Sequence, residues 1–209
     1  MKLAAVMAVA GAAIMITSGC TTSESGEGSP QSTALPASPN VPTSEGDSLP
    51  ANGAPQVDRP LDIATLLQQP CDVLTDAEIE EFFGERIAPT SDVNAPTGPD
   101  CHWQVPRGPA GISVIFPQLD ERGLSSLYAN RDNLPLFEEM SPVDGYPVVA
   151  YSTDRRHDDE CTLRIGTSDR ETIDITLYLG ESKIGQLDPC QAVRDQVATA
   201  MIRNIKARQ

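Results

Sequence analysis

Aromatic side chains are scarce: they make up 4% of the 209 residues, with a single Trp. With no excess of apolar residues beside them, this lends no support to a large lipid-carrying cavity, whose walls are apolar and aromatic. Histidine is scarcer still, limited to His102 and His157. No Cys-x-x-Cys pair occurs, which argues against a zinc ribbon, and His-Glu-x-x-His, the phosphate-binding loop and the dinucleotide fingerprint are also missing. Gly-x-Ser-x-Gly, the nucleophile elbow of serine hydrolases, is absent too. Bases are few, 15 Lys and Arg against 30 Asp and Glu, so the net charge is −15. That surface repels phosphate backbones and excludes nucleic acid as a partner. It is equally repelled by anionic lipid headgroups, so electrostatics cannot hold it to a membrane. Finally, no apolar run reaches the roughly twenty residues that span a bilayer as a helix.

What is present begins with Lys2 and the apolar, small-residue run Leu3 to Ile16. A positive start, a short apolar core and small residues before a cysteine mark an export signal over 1–19. Thr17-Ser18-Gly19-Cys20 resembles the lipobox of bacterial lipoproteins, departing from it at Thr17, where that motif usually has Leu. The resemblance implies cleavage after Gly19 and lipid modification of Cys20 with diacylglycerol and palmitate. The alternative, a secretory signal cut nearby, leaves Cys20 as a spare thiol, yet no Ala-x-Ala site lies in the polar stretch downstream and Cys20 is the odd one of five cysteines. Loss of Lys2 with the signal leaves fourteen bases against thirty acids, a charge of −16. The expected product is anchored at the outer face of the cell membrane by its lipid and does not cross it.

From Thr21 to Pro60 the chain holds seven Ser, seven Pro, four Thr and four Gly, no aromatic residue, and Arg59 as its one base. Such a stretch cannot bury enough apolar area to offset its ordering entropy, and reads as a tether over 20–60. As a flexible coil, forty residues span roughly 35 Å. A single domain is expected over 61–209.

Within that domain, Leu61 to Leu67 reads as a short helix ended by Pro70. Thr75 and Glu78 form a capping box, Ile79, Phe82 and Phe83 an apolar stripe, and Gly84 a stop. Residues 88–100 read as loop. Strands are expected at 101–105, 112–116, 147–151, 161–166 and 171–179, with a hairpin turn at 107–111 and a short helix near 120–131. In the last strand Ile173, Ile175, Leu177 and Leu179 alternate with polar residues, which predicts a sheet with one wet face. A terminal helix opens on Asp188 and Pro189 and turns Val193, Val197, Ala200, Met201 and Ile205 inward. The fold class expected is α+β: an antiparallel sheet of about five strands, helices packed on one face, stapled by disulfides.

Cys71, Cys101, Cys161 and Cys190 are an even set in an exported chain and read as disulfides, with three pairings open. Zinc is disfavoured, because thiols oxidise outside the cytoplasm. Pro70-Cys71-Asp72-Val73-Leu74-Thr75 opening a helix, Cys101-x-Trp103 opening a strand, and Gly145-Tyr146-Pro147 after a loop resemble the actinobacterial lipoproteins of the family called domain of unknown function 3558. The likeness covers about 70–205. Many relatives carry only the first two cysteines, which implies Cys71 with Cys101 and leaves Cys161 for Cys190. The family has no established activity, so the resemblance implies a location and a fold without a reaction.

Two function classes follow. One is a non-catalytic binding or accessory module for an envelope protein, a wall polymer or a small ligand. The other is an envelope enzyme whose site is assembled only in the fold, around His102 or His157 with carboxylates. No catalytic residue, metal ligand or cofactor is assigned. The run Asp154-Arg155-Arg156-His157-Asp158-Asp159-Glu160 lacks the alternation of a calcium loop and reads as a solvated connection.

Overall fold

The computed structural model describes residues 48–155 and 158–209. The expected signal peptide, Cys20, the tether up to residue 47, and His157 lie outside the described residues.

The most local code forms as read. Helix α1 (Asp76–Phe83) is capped by Thr75, whose hydroxyl accepts the Glu78 N–H while the Glu78 carboxylate accepts the Thr75 N–H. Gly84 ends the helix in the left-handed region at φ 74°, where a residue lacking Cβ meets no steric penalty. The Glu78 carboxylate also accepts from Arg203 at 2.6 Å and Asn204 at 2.8 Å, so one cap locks α1 to the end of the chain.

Among the described residues, seven strands form one antiparallel sheet: β1 (Thr90–Asp92), β2 (Asp100–Gln104), β3 (Gly111–Ile115), β4 (Leu136–Val143), β5 (Tyr146–Ser152), β6 (Glu160–Gly166) and β7 (Thr172–Tyr178). Their order is β1-β2-β3-β7-β6-β5-β4. The last strand in sequence is thus inserted beside β3, at the centre. Seven replaces the expected five because both edges lack a sequence signature. β1 is three exposed residues inside the stretch read as loop. β4 is irregular, with Pro142 and a register shift between Met140 and Val143, and it pairs on one side only.

Register separates the two faces. Trp103, Ile112, Val114, Leu163, Ile165, Ile173 and Ile175 face the main core, which the terminal helix closes. That helix has three parts: α3 (Pro189–Ala192), a π-helical turn (Val193–Ala198) and α4 (Thr199–Lys206). Its buried residues Val193, Val197, Met201 and Ile205 recur every fourth position, wider than the 3.6-residue period of an α-helix. The more widely wound π turn helps keep them on one side.

The expectation of helices on one face is corrected by α2 (Ser125–Ala129). Leu124, Leu127 and Tyr128 pack with Val149 and Phe137 in a second cluster on the reverse face, where Val149 alternates with the core residues Val148 and Ala150. The reverse face is therefore wet only in part, and Thr172 and Asp174 are buried on it. Leu61 to Leu67 forms a turn, with Leu66 N–H bonded to Ile63 carbonyl, in place of the expected short helix. Leu61, Ile63 and Leu66 are anchored in the main core instead.

Residues 51–57, assigned by composition to the tether, are bonded to the domain. Ala51 N–H donates to Ser125 Oγ and Val57 N–H to Asp169 Oδ1, both at 2.9 Å, and Ala54 and Val57 are buried. Two disulfides are present, Cys71–Cys101 and Cys161–Cys190, with Cα separations of 5.1 and 5.0 Å.

Candidate functional site

An apolar groove of about 260 Å³ opens where five segments converge at one end of the sheet. Phe82 and Phe83, the last residues of α1, form one wall, half-buried because Gly84 stops the helix there. Val105 and Ala110 contribute from the two ends of the β2–β3 hairpin, and Leu177 and Leu179 form the floor. Ala192, Gln196 and Val197, at the junction of α3 with the π turn, close the far side. π-helical turns are rare and frequently occur at functional sites, where they displace a helix face by a residue.

The remaining wall is the loop between β7 and α3. Glu181–Lys183 forms a 3-10 turn, Gly185 takes φ +74°, and Leu187 N–H returns to the Lys183 carbonyl at 3.1 Å. This tight return turns apolar side chains outward: Ile184 and Leu187 are 41% and 42% exposed. Leu187 also borders a more open cleft of about 360 Å³ lined by Asp158 and residues 184–190.

The Cys161–Cys190 disulfide holds this loop in place. Cys161 stands opposite Leu177 in the β6–β7 ladder, and Cys190 lies two residues beyond Asp188. Asp188 Oδ1 accepts from Cys190 N–H at 2.8 Å and Gln191 N–H at 3.0 Å, fixing the start of α3.

His102 sits on the reverse face of β2. Its Nε2 lies 3.3 Å from Asp100 Oδ1, with the imidazole 44% and the carboxylate 15% exposed. Ser113 is its partner across the β2–β3 ladder, but among the described residues no hydrogen bond joins Ser113 to His102. The structure thus places His102 beside one carboxylate on a half-open sheet face and away from the groove. Among the described residues, no group of three or more His, Cys, Asp or Glu is arranged to hold a metal ion.

A further polar cluster on that face is absent from the sequence reading. Arg164 donates through Nε to Asp174 Oδ1 at 2.7 Å and through Nη2 to Oδ2 at 2.6 Å, a bidentate pair. Its guanidinium lies 5.1 Å over the Tyr151 ring, and Tyr151 OH donates to Asp174 Oδ2 at 2.9 Å. Burial and then the Asp174 charge push the Tyr151 phenol well above its ordinary value. Burial alone would lower the Arg164 pKa, but the hydrogen bonds and charge of Asp174 outweigh it and keep the guanidinium firmly cationic. The Asp174 carboxylate, the Tyr151 hydroxyl and the Nε and Nη2 of Arg164 are turned on one another, so the cluster braces β5, β6 and β7. Opposite charges at facing positions of consecutive outward strand residues were its one signal in the sequence.

No helix among the described residues is long and apolar enough to cross a membrane. No curated protein and no solved structure matches the chain. A family model, described as protein of unknown function (DUF3558), matches residues 15–204, and with nearly the whole chain covered the protein belongs to that family.

Proposed function

We propose that the protein is an actinobacterial lipoprotein held at the outer face of the cell membrane through Cys20, and that its domain is a non-catalytic binding module working through the apolar groove. The observation that carries this reading is the rim. Leu187 on the groove and Ile184 on the adjoining cleft remain exposed beside a trough that continues inward to core residues, although the domain has a large core in which to bury them. Contiguous exposed apolar surface of this kind marks interaction sites on soluble domains. The occupant belongs to the classes open to such a surface: an envelope protein, a wall polymer or a small ligand.

The groove's place in the fold supports the reading. Residues 51–57 bind at Ser125 and Asp169, beside the turn that opens β7, whereas the groove lies at the closing end of the same strand. Seven residues of strand put about 20 Å between them, so the groove opens at the opposite end of β7 from the place where the tether would join. An envelope enzyme built on His102 or His157 is the alternative, and its support is the 3.3 Å approach of His102 to Asp100 alone.

The test is crosslinking in the native envelope. A photoreactive residue at position 187 is expected to give a discrete adduct, while one at Leu119, which is 74% exposed at the other end, gives none. Equal labelling from both positions, or none from 187, overturns the binding assignment. Cys20→Ala is expected to abolish fatty-acid labelling and leave precursor uncleaved; an Ala variant still labelled overturns the anchor.

A further inference from the structure

We infer that the partner presents an amphipathic, cationic peptide segment, inserting one or two apolar side chains into the groove while its Lys or Arg residues meet the acidic rim. The inference rests on the binding reading above and names the chemistry of the occupant.

Size is the first argument. Sites that enclose whole small molecules usually measure about 300–1,000 Å³. The groove, at about 260 Å³ and open along its rim, suits anchor side chains projecting from a larger surface. This is the helix-in-groove mode, in which residues at i, i+3 or i+4 and i+7 enter an apolar trough. Phe82, Phe83, Leu177 and Leu179 supply the trough, and exposed Ile184 and Leu187 extend it toward the adjoining cleft.

Charge is the second argument. Glu85 lines the groove, and Asp158 and Asp188 line the cleft that shares Leu187. Lys183 is the single base lining either cavity. The whole chain carries −15. Such a rim attracts a cationic segment and steers its approach, and it repels an anionic one. It also disfavours a second copy of this chain, whose matching patch is equally acidic.

The experiment uses the full-length lipoprotein in phosphatidylcholine vesicles, with protein-free vesicles subtracted. Two fluorescent amphipathic helical peptides of about eighteen residues are compared, sharing Leu and Phe positions but bearing Lys in one and Glu in the other. Saturable binding of the Lys peptide is expected, at least tenfold tighter than that of the Glu peptide. Ile184→Ser with Leu187→Ser, exposed positions that leave the charge unchanged, is expected to weaken it at least tenfold, and Leu119→Ser to leave it unaltered. Equal affinity for the two peptides overturns the cationic assignment. Loss with Leu119→Ser, or none with the groove variant, shows charge attraction without a site and overturns it too. Saturable uptake of a fluorescent fatty acid that the groove variant abolishes assigns the groove to an acyl chain instead. A position-187 adduct in the envelope together with failure of the Lys peptide retires the partner chemistry and leaves the binding reading standing.

Discussion

Glu78 shows how one side chain serves two levels of structure. Its carboxylate completes the capping box of α1 and also receives Arg203 and Asn204 from α4. Burial alone would raise its pKa, but the Thr75 N–H, Asn204, the Thr75 hydroxyl and Arg203 together hold it below the ordinary value of 4.5. A carboxylate with a depressed folded-state pKa stabilises the fold above its unfolded value, and that stabilisation is lost as pH falls through the folded one. Glu78→Gln is therefore expected to be less stable than the parent at neutral pH, by the roughly 1.5–3 kcal/mol typical of hydrogen bonds to a charged group. The gap should close as pH drops below 4.5. Urea unfolding followed by Trp103 fluorescence at several pH values measures it, and a gap that widens in acid contradicts the assignment. The Thr-x-x-Glu half of this network is legible in the sequence because its partners are three residues apart. The other half joins residues more than a hundred positions apart and appears only in the fold.

Each disulfide fixes an element that no ladder holds. Cys71–Cys101 ties the turn before α1 to β2, and Cys161–Cys190 ties the loop and α3 to the sheet beneath the groove. With sequence separations of 30 and 29, the chain-entropy model assigns each about 3.6 kcal/mol. Changing both Cys161 and Cys190 to Ser is expected to lower the melting temperature by about 7–14 °C, taking about 2–4 °C per kcal/mol for a domain of this size. It should also weaken groove binding, whereas the Cys71/Cys101 double Ser variant should cost similar stability with less effect on the groove. Calorimetry with the peptide titration decides. Equal loss of binding in both variants would mean that the second bridge does not position the loop. An even cysteine count signals bridges in advance, but which sulfurs meet depends on β6 lying under α3.

At the scale of the molecule, the domain begins earlier than its composition suggests. Two Pro, one Gly and no aromatic residue make 51–60 read as tether, yet Ala51 and Val57 are bonded to the domain and Ala54 and Val57 are buried. Mild digestion with a broad-specificity protease is expected to yield a stable core that still contains residues 51–60. Mass spectrometry locating the main cut inside that stretch would place the boundary at Leu61 after all. What the amino-acid order determined by itself is local: the capped helix, the alternating central strands, the Asp188-Pro189 helix start and the even cysteine set. Apart from the cysteine count, each depends on residues within a few positions of one another. Strand order was decided by tertiary structure, because the insertion of β7 beside β3 depends on long-range packing that local propensity does not encode. That insertion brings the 105–110 hairpin to the 180–187 loop and sets α1 and the terminal helix around them. The groove exists because five segments, none distinctive alone, share one end of the sheet.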